Sequence, residues 1–448
     1  MKRLILLFLV LTTQVALADN RLEFSLHKID SGIPGPTVLV VGGIQGDEPG
    51  GFHAASLLVT NYQITKGSVW VVPNLNFESI IRRSRGVNGD MNRKFARMKT
   101  TDPDYSEVER IKSLIRAPEV DFIFNMHDGS GFYRDKYIDP QHNARRWGQS
   151  IIIDQEELDT PKYANVGEFA RQVTGQINQR LLDEEHRYHV KNTHTRRGNA
   201  EMEKTLTYYA INNGKAAVGI EASKNLPTHE RVYYHLNALE FFMQQLGIEF
   251  KRSFQLEPLI VKQTIDNNIQ IALHENRLLL DVAEARKRIN YLPIKRGSQL
   301  EFTASNPLVA ITSKGNGYHV NYGNRNLTFL HPQFFEYDNS LSTLDMQVDG
   351  NSANVDLGTI IEVTDRFSIE PLDGYRINVI GWTKDGVDNE VGYEIKRDHI
   401  ARRFSVDTGG TLFRVEVYLE EKFCGMVLVK FTEQQEGQHA SLQRQTSS

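Results

Sequence analysis

The chain has 448 residues, more than one hydrophobic core usually organises, and at roughly 150 residues per domain it predicts about three domains. Hydrophobic residues make up 40% and charged residues 24%, with 33 Gly and 14 Pro, which excludes a disordered, collagenous or coiled-coil chain. Against 56 acidic residues stand 52 Lys and Arg; the net charge of -4 provides no global basic field and excludes nucleic-acid binding by phosphate neutralisation.

The first residues, MKRLILLFLVLTTQVALADN, pass from Lys2 and Arg3 through the apolar run Leu4 to Leu11 to Ala16-Leu17-Ala18. This order predicts a cleaved secretory signal over 1–18 and an exported protein. The run is shorter than the roughly 20 residues a spanning helix needs, and no later stretch is apolar enough, so no membrane span is expected in the mature chain. Cys424 is the single cysteine, which excludes an intramolecular disulfide; set in FCGMVLVKF, it reads as a buried structural thiol.

From residue 19 to 250, strand-length apolar runs alternate with helical periodicity, which predicts an α/β domain built on a mixed sheet covered by helices. The first strand, PTVLVV, runs into VLVVGGIQGDEPGG, a Gly-rich turn carrying Gln45 and Glu48. Side chains at i and i+3 on such a turn can converge on a metal outside the sheet; the other reading is a turn with solvated polar residues. The missing G-x-x-x-x-G-K-[ST] spacing and its lysine speak against a phosphate loop.

After the strand SVWVV, the segment ESIIRRSRGVNGDMNRKF gathers Arg82, Arg83, Arg85, Asn92 and Arg93. It reads as a solvated basic loop or as a set of carboxylate partners. The strand DFIFNM then ends in His127 and Asp128, followed by Gly129 and Gly131. Alone, His127 reads as a structural histidine; together with Gln45 and Glu48 it completes two oxygen donors and one nitrogen with a position left for water, the composition of a catalytic zinc site.

A helix is predicted over Tyr163 to Leu182, and EEHRYHVKNTH, with His186, His189 and His194, reads as a strand with a solvated face. The strand KAAVGIEASKN places Glu221 at the end of an apolar run, either as a rim carboxylate or as a base beside a metal-bound water. A second helix is predicted over Glu230 to Leu246.

Beyond Phe250 the helical pattern stops. Short segments such as EPLIVKQ, NIQIAL, QLEFTA and NLTFLH, separated by DNN, KGNG and YGNRN, predict an all-β region over 251–341. The set TIIEVTD, YRINVIGW, YEIKRD, TLFRVEVYLEE and GMVLVKF predicts a small β-sandwich over 342–433, and the polar residues 434–448 a disordered tail.

The order QGDE, RG, NR, MHDGSG and GIEAS resembles the zinc carboxypeptidase family related to carboxypeptidase A, with Gln45 in place of the family's first metal histidine. That substitution, on an exported α/β domain followed by two β domains, resembles in particular the cell-shape-determining peptidoglycan carboxypeptidases of helical and curved Gram-negative bacteria, which implies a β-barrel-like domain over 251–341 and an immunoglobulin-like sandwich over 342–433. The resemblance implies one zinc ion held by Gln45, Glu48 and His127, with Glu221 as general base and Arg85 polarising the scissile carbonyl. Asn92 and Arg93 would hold the terminal carboxylate of the substrate. It implies a periplasmic DL-carboxypeptidase that removes meso-diaminopimelate from uncrosslinked tripeptide stems to leave dipeptides.

Trp147, Thr207, Tyr133, Tyr137 and Tyr208 are candidate pocket walls, and the β domains are candidate surfaces for cell-wall proteins. Two rival readings are an amidohydrolase acting on small acyl amino acids, resembling desuccinylases and aspartoacylases, and an inactive cell-wall binding module.

Overall fold

The computed structural model describes residues 22–432 and the pair Ala16–Leu17. The expected signal segment, apart from that pair, and the expected tail lie outside the described residues.

The strands that organise the first part of the chain are β1 (His27–Asp30), β2 (Thr37–Val41), β3 (Ser68–Val72), β4 (Phe122–Gly129), β5 (Ser150–Ile153), β6 (His189–Asn192) and β7 (Ala216–Ser223). They form one seven-stranded sheet in the order β6-β5-β7-β4-β2-β3-β1. Strands β3, β2, β4 and β7 run parallel, whereas β1 joins β3 and β5 joins β7 antiparallel, so the sheet is mixed.

Strands β3, β4 and β7 are buried from end to end, which is why apolar residues dominate them. Antiparallel β1 alternates partly buried with exposed residues at the sheet edge, and β5 is only four residues long; neither carries an apolar run as long as those of the central strands.

The described residues form seven α-helices, in chain order α1 (Pro49–Asn61), α2 (Phe77–Ile81), α3 (Tyr105–Ile115), α4 (Val166–Ile177), α5 (Leu206–Asn212), α6 (Thr228–Leu246) and α7 (Pro258–Asp266). In α4, Val166, Val173 and Ile177 are buried; in α6, Val232, Leu236, Leu239, Met243 and Leu246 are, as their spacing predicts. On one face of the sheet α1 and α6 pack together, and on the other α5 lies against β4 and β7.

The segment EPLIVKQ, expected as a β element, is instead the start of α7. Pro258 occupies its first turn, where a missing N–H costs nothing, and Val261 and Ile265, four residues apart, are the buried stripe laid against α6. Seven residues of mixed apolar pattern do not distinguish the two periods, and the proline decides for the helix.

Beyond α7 the chain is β-structured, with four-stranded sheets that include the hairpin Val309–Lys314 and Gly317–Tyr322, turning at the KGNG signal. Hydrogen bonds from Ser56 Oγ to Asn306 Oδ1 at 2.8 Å and from Arg83 Nε to the Asn324 carbonyl at 2.6 Å tie this region to α1 and to the loop after α2. The last two four-stranded sheets enclose a separate apolar core containing Phe367, Ile377, Val415 and Val427, with the buried Cys424 among them.

Candidate active site

Three strand ends and two loops build the site. The β2 strand stops at Val41, and the turn that follows brings Gln45 and Glu48 over the end of β4 before Pro49 opens α1. That turn lies flat on α2: a Cβ on Gly46 would stand 2.0 Å from the Ser79 carbonyl carbon, so only glycine permits the approach. On β4 and β7 the register pairs His127 with Glu221, which sets both side chains on the same face at the same level.

Alternate residues of β4 face the other way. Asp128 is fully buried and accepts hydrogen bonds from the Gly50 amide at 2.8 Å, Arg231 Nη1 at 3.0 Å and His235 at 3.1 Å. It thereby fixes the start of α1, and with it Glu48, relative to β4.

Gln45 Oε1 lies 3.1 Å and Glu48 Oε2 2.8 Å from His127 Nδ1. All three residues are buried. Burial alone lowers the pKa of His127, but the Glu48 hydrogen bond and charge outweigh it and raise the value. A position that draws a proton between one nitrogen and two oxygens draws a divalent cation for the same electrostatic reason, and the donor set of two oxygens and an imidazole suits zinc. Among the described residues no three His, Cys, Asp or Glu side chains are placed to hold a metal ion by themselves, and here one of the three donors is an amide oxygen.

Glu221 completes the centre. It is buried, its Oε2 has no hydrogen-bond partner, and burial with the nearby Glu48 and Asp128 charges pushes its carboxyl well above the usual carboxylate range, against the opposing pull of His127. Arg85, half-exposed at the mouth, donates Nε to Asp90 Oδ2 at 3.0 Å and places Nη1 3.5 Å from Glu48 Oε1. Lys224 Nζ approaches the same Glu48 oxygen at 3.4 Å and pairs with Asp47 at 2.7 Å.

Asn92 accepts the Leu206 amide at 3.0 Å through Oδ1, and its Nδ2 lies 3.3 Å from His127 Nε2. The Arg93 guanidinium donates Nη1 to the Asn92 carbonyl at 3.1 Å and lies 3.6 Å from the exposed Glu201 carboxylate. Gln45, Glu48, Arg85, Asn92, Arg93, His127, Trp147, Thr207 and Glu221 all line one cavity of about 280 Å³. Tyr133, Tyr137 and Tyr208, candidate walls in the sequence, are not among its lining residues. Tyr137 is exposed, and Tyr133 packs on Lys191, whose ammonium is sandwiched between the rings of Tyr133 and Trp147. His186 departs from the solvated face expected of it: its ring stacks on Phe132 and its Nδ1 lies 3.0 Å from the Tyr234 hydroxyl.

Sequence reasoning passed over Asp90. Its carboxylate accepts Gln45 Nε2 at 2.7 Å, Arg85 at 3.0 Å and the Asn92 amide at 3.0 Å, so one side chain orients three site residues. The signal was present: an acid inside the basic loop, two positions before Asn92 in GDMNR.

A mixed sheet that gathers two oxygen donors and a histidine at its strand ends, with an unpartnered carboxylate beside them and arginines at the rim, defines a carboxypeptidase of the metal-dependent class. The chain belongs to the M99 peptidase family, whose catalytic model, described as a carboxypeptidase controlling helical cell shape, matches residues 1–266. A second model, the C-terminal domain of metallo-carboxypeptidase, matches residues 337–432.

The chain is similar to Csd4, a cell shape determinant protein of Helicobacter pylori. It is 39% identical to the apo crystal structure, covering 92% of this chain and 100% of that one with a TM-score of 0.84. The tripeptide-bound structure gives the same identity and coverages with a TM-score of 0.83. The mDAP-bound structure, described as a D,L-carboxypeptidase, is also 39% identical, over 91% of this chain and 100% of that one, with a TM-score of 0.83. No curated protein matches the chain.

Proposed function

We propose that this carboxypeptidase is an exported, periplasmic, zinc-dependent DL-carboxypeptidase that removes meso-diaminopimelate from the end of uncrosslinked tripeptide stems of peptidoglycan, leaving dipeptides and so influencing cell shape. The observation that carries the chemistry is the convergence of Gln45 Oε1 and Glu48 Oε2 on His127 Nδ1 in the cavity that also holds the unpartnered Glu221 Oε2. The substrate reading is supported by the similarity to Csd4, whose structures hold a tripeptide and mDAP. Export rests on the signal pattern of residues 1–18. The exposed surfaces of the appended β regions are left for contacts with cell-wall proteins.

Gln45, Glu48 and His127 would hold the zinc ion, which when bound supplies Lewis-acid polarisation of the scissile carbonyl and a water of lowered pKa. Glu221 takes a proton from the attacking water at its free Oε2 and delivers it to the nitrogen of the leaving amino acid.

Arg85, pinned by Asp90, presents its guanidinium to the developing oxyanion. Arg93 exchanges the distant, solvated Glu201 carboxylate for the terminal carboxylate of the substrate, a bidentate partner at shorter range, and Asn92 Nδ2 assists it. Charge recognition of a free chain end limits the cut to one residue from that end. Trp147 and Thr207 contribute walls to the space the leaving side chain enters.

The test is mass spectrometry of products after the mature protein is incubated with a mixture of soluble dipeptide, tripeptide, tetrapeptide, pentapeptide and crosslinked muropeptides, with and without a chelator. Tripeptides alone should shorten by one diaminopimelate, and zinc should restore activity after chelation. Shortening of tetrapeptides or pentapeptides instead, or activity indifferent to the chelator, would reject the reading.

A further inference from the structure

The cavity has a floor that the reaction so far leaves unused. Residues two apart on a strand share a face, so Asn125 lies beneath His127 on β4 and Gly219 beneath Glu221 on β7, roughly 6.6 Å further from the strand ends. The register pairs Asn125 with Gly219, and Gly219 with Ile152 of β5. The row His127, Glu221, Ser150 therefore carries the reacting groups, and the row Asn125, Gly219, Ile152 lies below it, all three lining the cavity. Glycine keeps this lower row open: a Cβ at position 219 would stand 3.2 Å from the Ile152 Cβ.

Asn125 is 1% exposed, yet its Oδ1 has no hydrogen-bond partner. An unpaired buried amide oxygen is costly, and one that lines a cavity recovers that cost when a ligand brings a donor. Thr207 also lines the cavity, its hydroxyl oxygen 3.1 Å from that of Thr205. The floor thus offers an unpaired acceptor and a hydroxyl, while Met202 and Trp147 contribute apolar wall. Such a site fits an ammonium at the end of a short aliphatic chain.

We propose that Asn125 is a specificity-determining residue whose Oδ1 receives the distal ammonium of the amino acid being released. The assignment rests on the carboxypeptidase reading above. In diaminopimelate four carbon–carbon bonds, about 5 Å when extended, separate the α-carbon from the carbon that bears this amine. That span bridges the upper row, where the peptide bond is cut, and the lower row.

The experiment compares two substrates of the zinc-loaded protein: the tripeptide stem, and the same stem ending in 2-aminopimelate, which lacks only the distal amine. The wild type should favour the amine by about tenfold or more in kcat/KM, the worth of one charged hydrogen bond. Asn125→Leu should bring the ratio close to one, while Asn125→Asp, which keeps the acceptor, should retain the preference. An unchanged ratio in Asn125→Leu overturns the assignment and leaves the carboxypeptidase reading standing.

Calorimetry with free meso-diaminopimelate and free 2-aminopimelate separates the two failures. If the wild type cleaves neither peptide but binds meso-diaminopimelate in preference, and Asn125→Leu abolishes that preference, the site stands and the proposed activity falls. If the wild type shows no preference in either measurement, the site is overturned.

Discussion

Gln45 donates its Nε2 to Asp90 Oδ1 over 2.7 Å, and this bond decides which end of the amide faces His127. An amide presents a donor and an acceptor of nearly equal shape, and only the oxygen can serve a cation. Asp90 fixes the orientation and, by accepting from the NH₂ group, draws electron density toward Oε1. The glutamine is thus held in the pose that a metal-binding oxygen requires.

Asp90→Ala is expected to lower zinc affinity by roughly 10- to 100-fold, the usual cost of losing a group that orients a metal ligand. Competition with a chromogenic chelator measures it. An affinity equal to wild type would show that Gln45 needs no orienting partner.

Gln45→His should leave an active enzyme that retains zinc at least as well as wild type, because imidazole nitrogen is a better zinc donor than an amide oxygen and its second nitrogen can still donate to Asp90. Metal content after dialysis, measured by atomic absorption, is the readout. Complete loss of metal from a folded variant would remove Gln45 from the ligand set.

Glu221→Gln preserves the shape of the site and should retain zinc while losing roughly 10²- to 10⁴-fold in kcat, the range for removing a positioned general base. The buried, unpartnered Oε2 motivates the expectation. Turnover at the wild-type rate would rule Glu221 out as the base.

His53, on α1 against the Tyr322 ring at 5.2 Å, is buried with an unpartnered Nδ1. Burial, helped by the Arg325 charge, pushes its pKa down to about 3 from the ordinary 6.5. Between these values the unfolded chain binds a proton that the folded one refuses, so this contribution to stability is complete above pH 6.5 and is lost as the pH falls toward 3, by up to about 1.4 kcal/mol per pH unit. Urea unfolding of wild type and His53→Leu at several pH values tests this: the wild type should lose stability on acidification faster than the variant. Parallel curves would contradict it.

The sequence by itself determined the central strands, the helices α4 and α6 and the chemical types at the site. A parallel strand covered on both faces must be apolar throughout, and a polar residue at the end of such a run stands out, as Glu48, His127 and Glu221 do after theirs. The expected single-cysteine core also holds, with Cys424 buried among apolar neighbours.

What only the tertiary structure decided was pairing. Asp90 is one acid in a loop of arginines until folding sets it within 2.7 Å of Gln45, which lies 45 residues earlier in the chain. Asn125 reads as an interruption in an apolar strand until the register lays it beside Gly219 and beneath the His127 and Glu221 row. Period and composition are local properties of a chain, whereas hydrogen-bond partners and the depth of a cavity depend on which strands become neighbours, and the antiparallel β5 that closes the cavity floor is too short to announce itself.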